Sequence, residues 1–218
     1  MKINRYPRFR GFTLVELLVV IGIIAVLAVI STSAFLRFKK TADRTLATSN
    51  LRQLQTANAV YAGDHNGVFV APTATVDGKS YEWYENPEFV SQLKGESATF
   101  KTAGDPDTSL AISLMDPAVV RLRPAGYTLL KASYGYTTPS TASAVRLAQL
   151  TDASRTAAFI TANNAFANFM AKSNIAYRHN LKSIVVFFDG HTQLFSAADI
   201  SSKSETNVFW PPVQPAIP

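Results

Sequence analysis

Gly11-Phe12-Thr13-Leu14-Val15-Glu16 opens the stretch whose reading decides the architecture. From Phe12 to Ile30 the chain runs FTLVELLVVIGIIAVLAVI, apolar apart from Thr13, Glu16 and Gly22. As a helix rising 1.5 Å per residue this run covers about 29 Å, close to the ~30 Å hydrocarbon core of a bilayer. A secretory signal would place its small-residue cleavage site after the apolar core. Here the small residue, Gly11, precedes it, so the run reads as a retained membrane helix.

Upstream, Lys2, Arg5, Arg8 and Arg10 occupy the first eleven residues with no acid among them. They belong to the N-terminal segment rather than to a folded face. Without residues 1–11, Lys+Arg falls from 21 to 17 against an unchanged 15 Asp+Glu, and the net charge drops from +6 to +2. The basicity therefore does not argue for a nucleic-acid surface, and no nucleic-acid partner is expected. The chain has no cysteine, which excludes disulfides, thiolate metal sites and a cysteine nucleophile.

Downstream, residues 31–62 contain neither proline nor glycine. Apolar side chains recur at Phe35, Phe38, Ala42, Leu46, Leu51, Leu54, Ala57 and Tyr61, an amphipathic stripe with Arg37, Lys39, Lys40, Arg44 and Arg52 available for the other side. Gly63 and the Asp64-His65-Asn66-Gly67 turn supply the stop. The pattern predicts one helix of about 50 residues, roughly 75 Å long.

Beyond Gly67 the apolar runs shorten. Val119–Arg123, Tyr127–Lys131, Tyr134–Thr137 and Arg155–Thr161 read as strands; Tyr81–Glu85 and Glu88–Leu93 are ambiguous. Ser183–Phe188 and His191–Ser196, joined by Asp189-Gly190, read as a hairpin with a type I′ turn. Pro211, Pro212, Pro215 and Pro218 mark an extended tail, pinned by Phe209 and Trp210. The expected organisation is a leader (1–11), a long helix (12–63, with 12–30 as the membrane and assembly segment), a β-rich head (64–200) and a proline-rich tail (201–218). The fold class is α+β, a long N-terminal helix packed on a small antiparallel sheet.

The Gly11-Phe12-Thr13-Leu14-Val15-Glu16 motif followed by an apolar run resembles the type IV prepilin processing site, shared by type IV pilins and the pseudopilins of type II secretion. The resemblance implies a pilin-like fold, cleavage after Gly11 by a membrane-embedded prepilin peptidase, and N-methylation of the new terminus, Phe12. It implies that Glu16 pairs with the terminal amine of an adjacent subunit during assembly. The residues make the same need visible. A carboxylate in an apolar segment costs ~2.5–3.5 kcal/mol at the bilayer centre, less near an interface, and cleavage creates an ammonium one turn away. A local alternative is that Glu16 offsets its own helix N-terminus, worth about 0.3–1 kcal/mol.

Arg178-His179, nine residues, then Asp189-Gly190 is similar to an H-X9-DG signature found in bacterial prepilin-type proteins, as is Tyr61-Ala62-Gly63-Asp64-His65-Asn66-Gly67. The plainer reading makes Asp189-Gly190 a turn and has His179 open the first strand, bonding nearby backbone. A sharper one gathers His179, Asp189 and His191 around a metal, although residues flanking a tight turn usually point away from a common centre. Calcium is held by oxygen ligands in some pseudopilin heads, and Asp105, Asp107 and Asp116 offer oxygens, but without a recognisable spacing. Neither a metal nor another cofactor is expected. Tyr81, Trp83 and Tyr84 could stack a sugar or base, or pack the head onto its helix; packing is the favoured expectation. His65, His179 and His191 lack a serine in a nucleophile-elbow setting, and no phosphate-binding glycine loop occurs, so the chain is not expected to be an enzyme.

These readings converge on a structural subunit of a pilus-like filament, a pseudopilin of a type II secretion system. Its partners would be identical subunits, other minor pseudopilins, the prepilin peptidase and an inner-membrane assembly platform. It would cross the bacterial inner membrane once with its head in the periplasm, and after assembly form a periplasmic or surface filament. The alternatives are a type IV pilin with an adhesive or DNA-uptake role, and a membrane-anchored enzyme or metal-dependent head. Two departures from many pilins favour a pseudopilin-like or lineage-specific subunit over a typical adhesive pilin: no proline near Ser33 to kink the helix, and no carboxy-terminal disulfide.

Overall fold

The computed structural model describes residues 12–76, 78–93, 114–121, 133–138, 144–164, 166–167, 170–204 and 207–212. Its longest element is α1, Leu14–Asp64, 51 residues without a break. The chain divides into two compact units, residues 1–42 and 43–218.

In the first unit the described residues form the start of α1, and its large apolar side chains from Leu14 to Phe38 are exposed. This helix is long and apolar enough to cross a membrane. Within the first unit its described side chains bury no face, unlike a core helix, which would lose that surface to its own domain.

The second unit begins within α1 and supplies the head. After α1 come β1 (Thr73–Val76), β2 (Lys79–Glu82), α2 (Pro87–Gln92), α3 (Pro117–Arg121), β3 (Tyr134–Thr137), β4 (Ala157–Thr161), β5 (Phe166–Ala167), β6 (Lys182–Phe187), β7 (Thr192–Ser196) and α4 (Ala197–Ser201). β1 and β2 pair as a two-stranded ribbon; the main sheet has the order β5-β3-β4-β6-β7. All its pairs are antiparallel except β3 with the two-residue β5.

Successive side chains on a strand face opposite sides, and β6 feeds both. Ile184 and Val186 join Leu51, Leu54, Trp83, Phe89, Tyr136 and Phe159 on the face that α1 covers. Val185 and Phe187 join Ile160, Ile200, Phe209 and Trp210 on the opposite face. Being covered twice is why β6 reads as an almost continuous apolar run. Trp83 sits at the centre of the first face, ringed by Phe159, Tyr84, Phe89 and Tyr136 at centroid separations of 5.2–6.3 Å. Trp83 and Tyr84 thus join the core shared by the head and its helix, while Tyr81 is half-buried outside it. The tail residues Phe209 and Trp210 are buried as expected, with Phe209 O accepting from Ala157 N at 2.9 Å.

Three local expectations change. The first is the stripe on α1: Phe35, Phe38, Ala42 and Leu46 are exposed, and the head covers Ala47, Leu51, Leu54, Ala57 and Tyr61 instead. The five-residue step from Leu46 to Leu51 turns the helix by about 140°, so the two halves lie on different faces. The second is Val119–Arg123, expected as a strand. Residues 117–121 form α3, because Pro117 is pre-set for a first helical turn and Asp116 caps it, its Oδ1 accepting from Ala118 N at 2.9 Å and its carbonyl from Val119 and Val120. Tyr127–Lys131 lies outside the described residues.

The third is the Asp189-Gly190 turn. It joins β6 to β7 as expected, but a type I′ turn needs positive φ at two positions, and only Gly190 (+89°) has it. Gly190 N bonds Phe187 O and Phe187 N bonds His191 O, both at 2.9 Å, the three-residue loop in which a left-handed glycine closes a bulge. Positive φ at two consecutive positions occurs just before β6, at Asn180 (+55°) and Leu181 (+58°), between reciprocal His179–Lys182 backbone bonds.

Candidate functional site

At the N-terminal end of α1, Thr13 is the residue before the helix and Glu16 lies in its first turn. Glu16 Oε2 accepts from Thr13 N and from Thr13 Oγ1, each at 2.8 Å, while Thr13 Oγ1 accepts from Glu16 N at 3.3 Å. This reciprocal capping box satisfies amides that a helix start otherwise leaves without partners. Thr-Leu-Val-Glu carries its sequence signature, an acid three residues after a capping threonine. In the single chain the carboxylate therefore serves its own helix. Phe12 is exposed beside it; Gly11 lies outside the described residues.

The residues of the carboxy-terminal signature separate. His179 precedes β6 and Asp189 follows it, leaving the six-residue strand between them, about 20 Å of extended chain. Asp189 Oδ1 bonds His191 Nδ1 at 2.6 Å and His191 N at 3.1 Å, a local turn, and Gly190 supplies the left-handed step. His179 instead turns inward. Its Nε2 lies 3.2 Å from Asp116 Oδ2, and both side chains are buried. The structure thus keeps His179 away from Asp189 and His191. Among the described residues no three His, Cys, Asp or Glu side chains gather as a metal would require. Asp105 and Asp107 lie outside the described residues.

What forms around His179 is a polar staple. Arg178 Nη1 lies 3.3 Å from Asp116 Oδ2 and 3.3 Å from Ser133 O; Nη2 donates to Ala162 O at 2.7 Å and Asn163 Oδ1 at 2.6 Å. Asn50 of α1 donates to Met115 O at 3.0 Å. One carboxylate thus ties α3, the turn before β6 and the ends of β3 and β4, next to α1. Burial pushes the Asp116 carboxyl up. The hydrogen bond and charge of His179, the Ala118 amide and the Arg178 charge outweigh that and hold it below its ordinary value. Burial lowers the Arg178 guanidinium, and the attraction of Asp116 opposes this. With every strong donor aimed at protein acceptors, the cluster suits holding the head together rather than turning over a substrate. Sequence reasoning used Asp116 only as a possible calcium ligand; Asp116-Pro117, a capping acid before a first-turn proline, was the readable signal.

An exposed apolar helix that begins with a capped glutamate and continues into an antiparallel head defines a type IV pilin-like protein. Residues 6–32 match the prokaryotic N-terminal methylation motif, and the chain is type IV prepilin-like over that segment. It is 43% identical over 58 residues to the type IV major pilin protein PilA of Myxococcus xanthus (strain DK1622). That alignment covers 26% of each protein, so the chain spans about a quarter of the length of the curated relative it matches. No solved structure matches.

Proposed function

We propose that the chain is a structural subunit of a type IV pilus-like filament, cut after Gly11, methylated at Phe12 and held by α1 in the bacterial inner membrane, with its head in the periplasm, until assembly. The observation that carries this reading is the pairing of a methylation motif with an apolar helical stretch, from Leu14 to Phe38, whose large side chains are all exposed. Such a surface is stable in lipid or against identical helices and in little else. Assembly exchanges one for the other, so the work is mechanical. Glu16 would then pass from its own cap to the Phe12 ammonium of a neighbour, fixing axial register.

Within this class we place the chain with the pseudopilins of type II secretion, acting with minor pseudopilins, the prepilin peptidase and the inner-membrane platform. The uninterrupted α1 supports this, since many pilins kink where Ser33 lies. The second reading is a type IV pilin, favoured by the match to a major pilin. That match covers only a quarter of the chain.

Mass spectrometry of the native protein tests the common reading. The expected mass is that of a chain beginning at methylated Phe12, and Gly11→Ala should leave the precursor uncut in the membrane. A native mass that retains residues 1–11 would sink it. Loss of secretion without loss of surface filaments on deleting the protein supports the pseudopilin; the reverse supports the pilin.

A further inference from the structure

The apolar surface of α1 does not end where the hydrocarbon core would. Phe35, Leu36 and Phe38 remain exposed beyond Ile30, and Arg37, Lys39 and Lys40 stand among them, also exposed. Among the described residues, no ion pair engages these three cations. At 100° per residue Arg37 and Lys40 share one face of the helix, while Phe35 and Phe38 share another with Lys39 beside Phe35.

Depth explains the pattern. Counting 1.5 Å per residue from Phe12, residues 31–40 lie about 29–42 Å along the axis. A bilayer has ~30 Å of hydrocarbon and ~40–45 Å including headgroups. With the charged Phe12 terminus in the near headgroup layer, hydrocarbon runs from about 6 to 36 Å along the axis and the far headgroups to about 42 Å. Phe35–Lys40 therefore lie at and just beyond the acyl boundary of the leaflet opposite Gly11, where aromatic rings settle and long cationic side chains reach for phosphate.

Charge sharpens the point. Four cations precede the span, at Lys2, Arg5, Arg8 and Arg10, and four follow it, at Arg37, Lys39, Lys40 and Arg44, with Asp43 the first acid after the span. Once residues 1–11 are removed, the span is flanked by cationic side chains at its far end alone, the near end keeping only the Phe12 ammonium. Positive charge there works against export of that end, so a benefit in the membrane must offset it.

We propose that Phe35–Lys40 is an anionic-lipid binding collar. Arg37, Lys39 and Lys40 pair with phosphodiester headgroups, and Phe35 and Phe38 seat the helix among the upper acyl chains. The collar holds the waiting subunit at fixed depth. This inference rests on the membrane reading proposed above. Each cation near an anionic surface is worth roughly five-fold in affinity.

The test is native mass spectrometry of the full chain in micelles containing equal amounts of phosphatidylglycerol and phosphatidylcholine. The wild type should retain phosphatidylglycerol in preference. The triple variant Arg37→Gln, Lys39→Gln, Lys40→Gln should lose at least three-fold of that preference, while Arg155→Gln, an exposed head cation, should keep it. The leader's own cations are common to all three chains. Equal retention by the triple variant would overturn the collar, as would displacement of the lipid by inorganic phosphate, which would mark a free-anion site. Carbonate extraction separates the two readings. A chain washed from membranes loses both, whereas a carbonate-resistant chain without lipid preference loses the collar alone.

Discussion

Asp116 is an unremarkable acid in the sequence and an anchor in the fold. Its folded-state pKa is lowered, so the unfolded chain takes up the proton first. The stability it contributes is complete above the unfolded carboxylate value, near 4, and is lost as pH falls through the lower folded value. Asp116→Asn should cost roughly 3 kcal/mol at neutral pH, because Arg178 and His179 stay buried without their carboxylate. It should also flatten the acid limb of stability, measured by urea unfolding of the full chain in detergent at several pH values. An unchanged acid limb would show that other carboxylates govern it. Leu181 is the opposite case. At φ +58° a leucine carries about 1–2 kcal/mol of strain that glycine avoids, and its exposed side chain has little packing to lose. Leu181→Gly should raise the urea midpoint by the equivalent of about 0.5–1 kcal/mol; a lower midpoint would mean that the leucine stiffens the turn more than it strains it. Beyond the Asp116-Pro117 cap, neither role was legible beforehand. A buried acid looks like a surface one until its partners, 62 and 63 residues away, are folded against it. A left-handed leucine breaks the local turn rules, which is why a type I′ turn was sought at Asp-Gly.

The elements were more legible than their faces. The length of α1 followed from composition and spacing, the β6–β7 hairpin from Asp189-Gly190, and the pinned tail from Phe209 and Trp210. What periodicity missed was the change of face at Leu46, since a step of five looks like part of a stripe and is a rotation. It also missed Gln55 and Asn58, polar residues inside the helix–sheet contact. Gln55 Nε2 donates to Phe188 O at 2.7 Å and Asn58 Oδ1 accepts from Val70 N at 3.0 Å, so α1 holds two loops by side-chain amides. Polar residues on a helix read as solvent-facing by default, and these ends of the chain meet only in the fold. β3 depends on another close approach. A Cβ on Gly135 would lie 2.9 Å from Ala162 Cβ, 3.0 Å from Asn164 O and 3.3 Å from Ala167 N. Two of those atoms are backbone and cannot step aside cheaply. Gly135→Ala should therefore destabilise the head by about 1–3 kcal/mol, seen as a lower thermal midpoint with membrane insertion intact. A midpoint equal to wild type would show that β5 yields at no cost.

For the whole molecule, the capped Glu16 poses a choice between two roles, and magnitudes separate them. The cap with Thr13 is worth about 1 kcal/mol, too little to decide whether a filament forms. If the chain begins at Phe12 and packs in an apolar bundle, as proposed, its ammonium left without a carboxylate costs several kcal/mol in every subunit, enough to abolish the filament. Glutamine at the same helix position still accepts from the Thr13 amide and hydroxyl, because either residue completes a capping box, but it carries no charge. Valine at position 13 keeps the shape of threonine and removes the hydroxyl. Glu16→Gln should therefore keep the cap, be processed after Gly11 and fail to assemble, while Thr13→Val should lose the cap and still assemble. The measurement is sheared-filament yield beside the amount of processed subunit in the membrane. If Thr13→Val loses filaments and Glu16→Gln retains them, the glutamate acts on its own helix alone, and axial register must come from packing of the apolar faces.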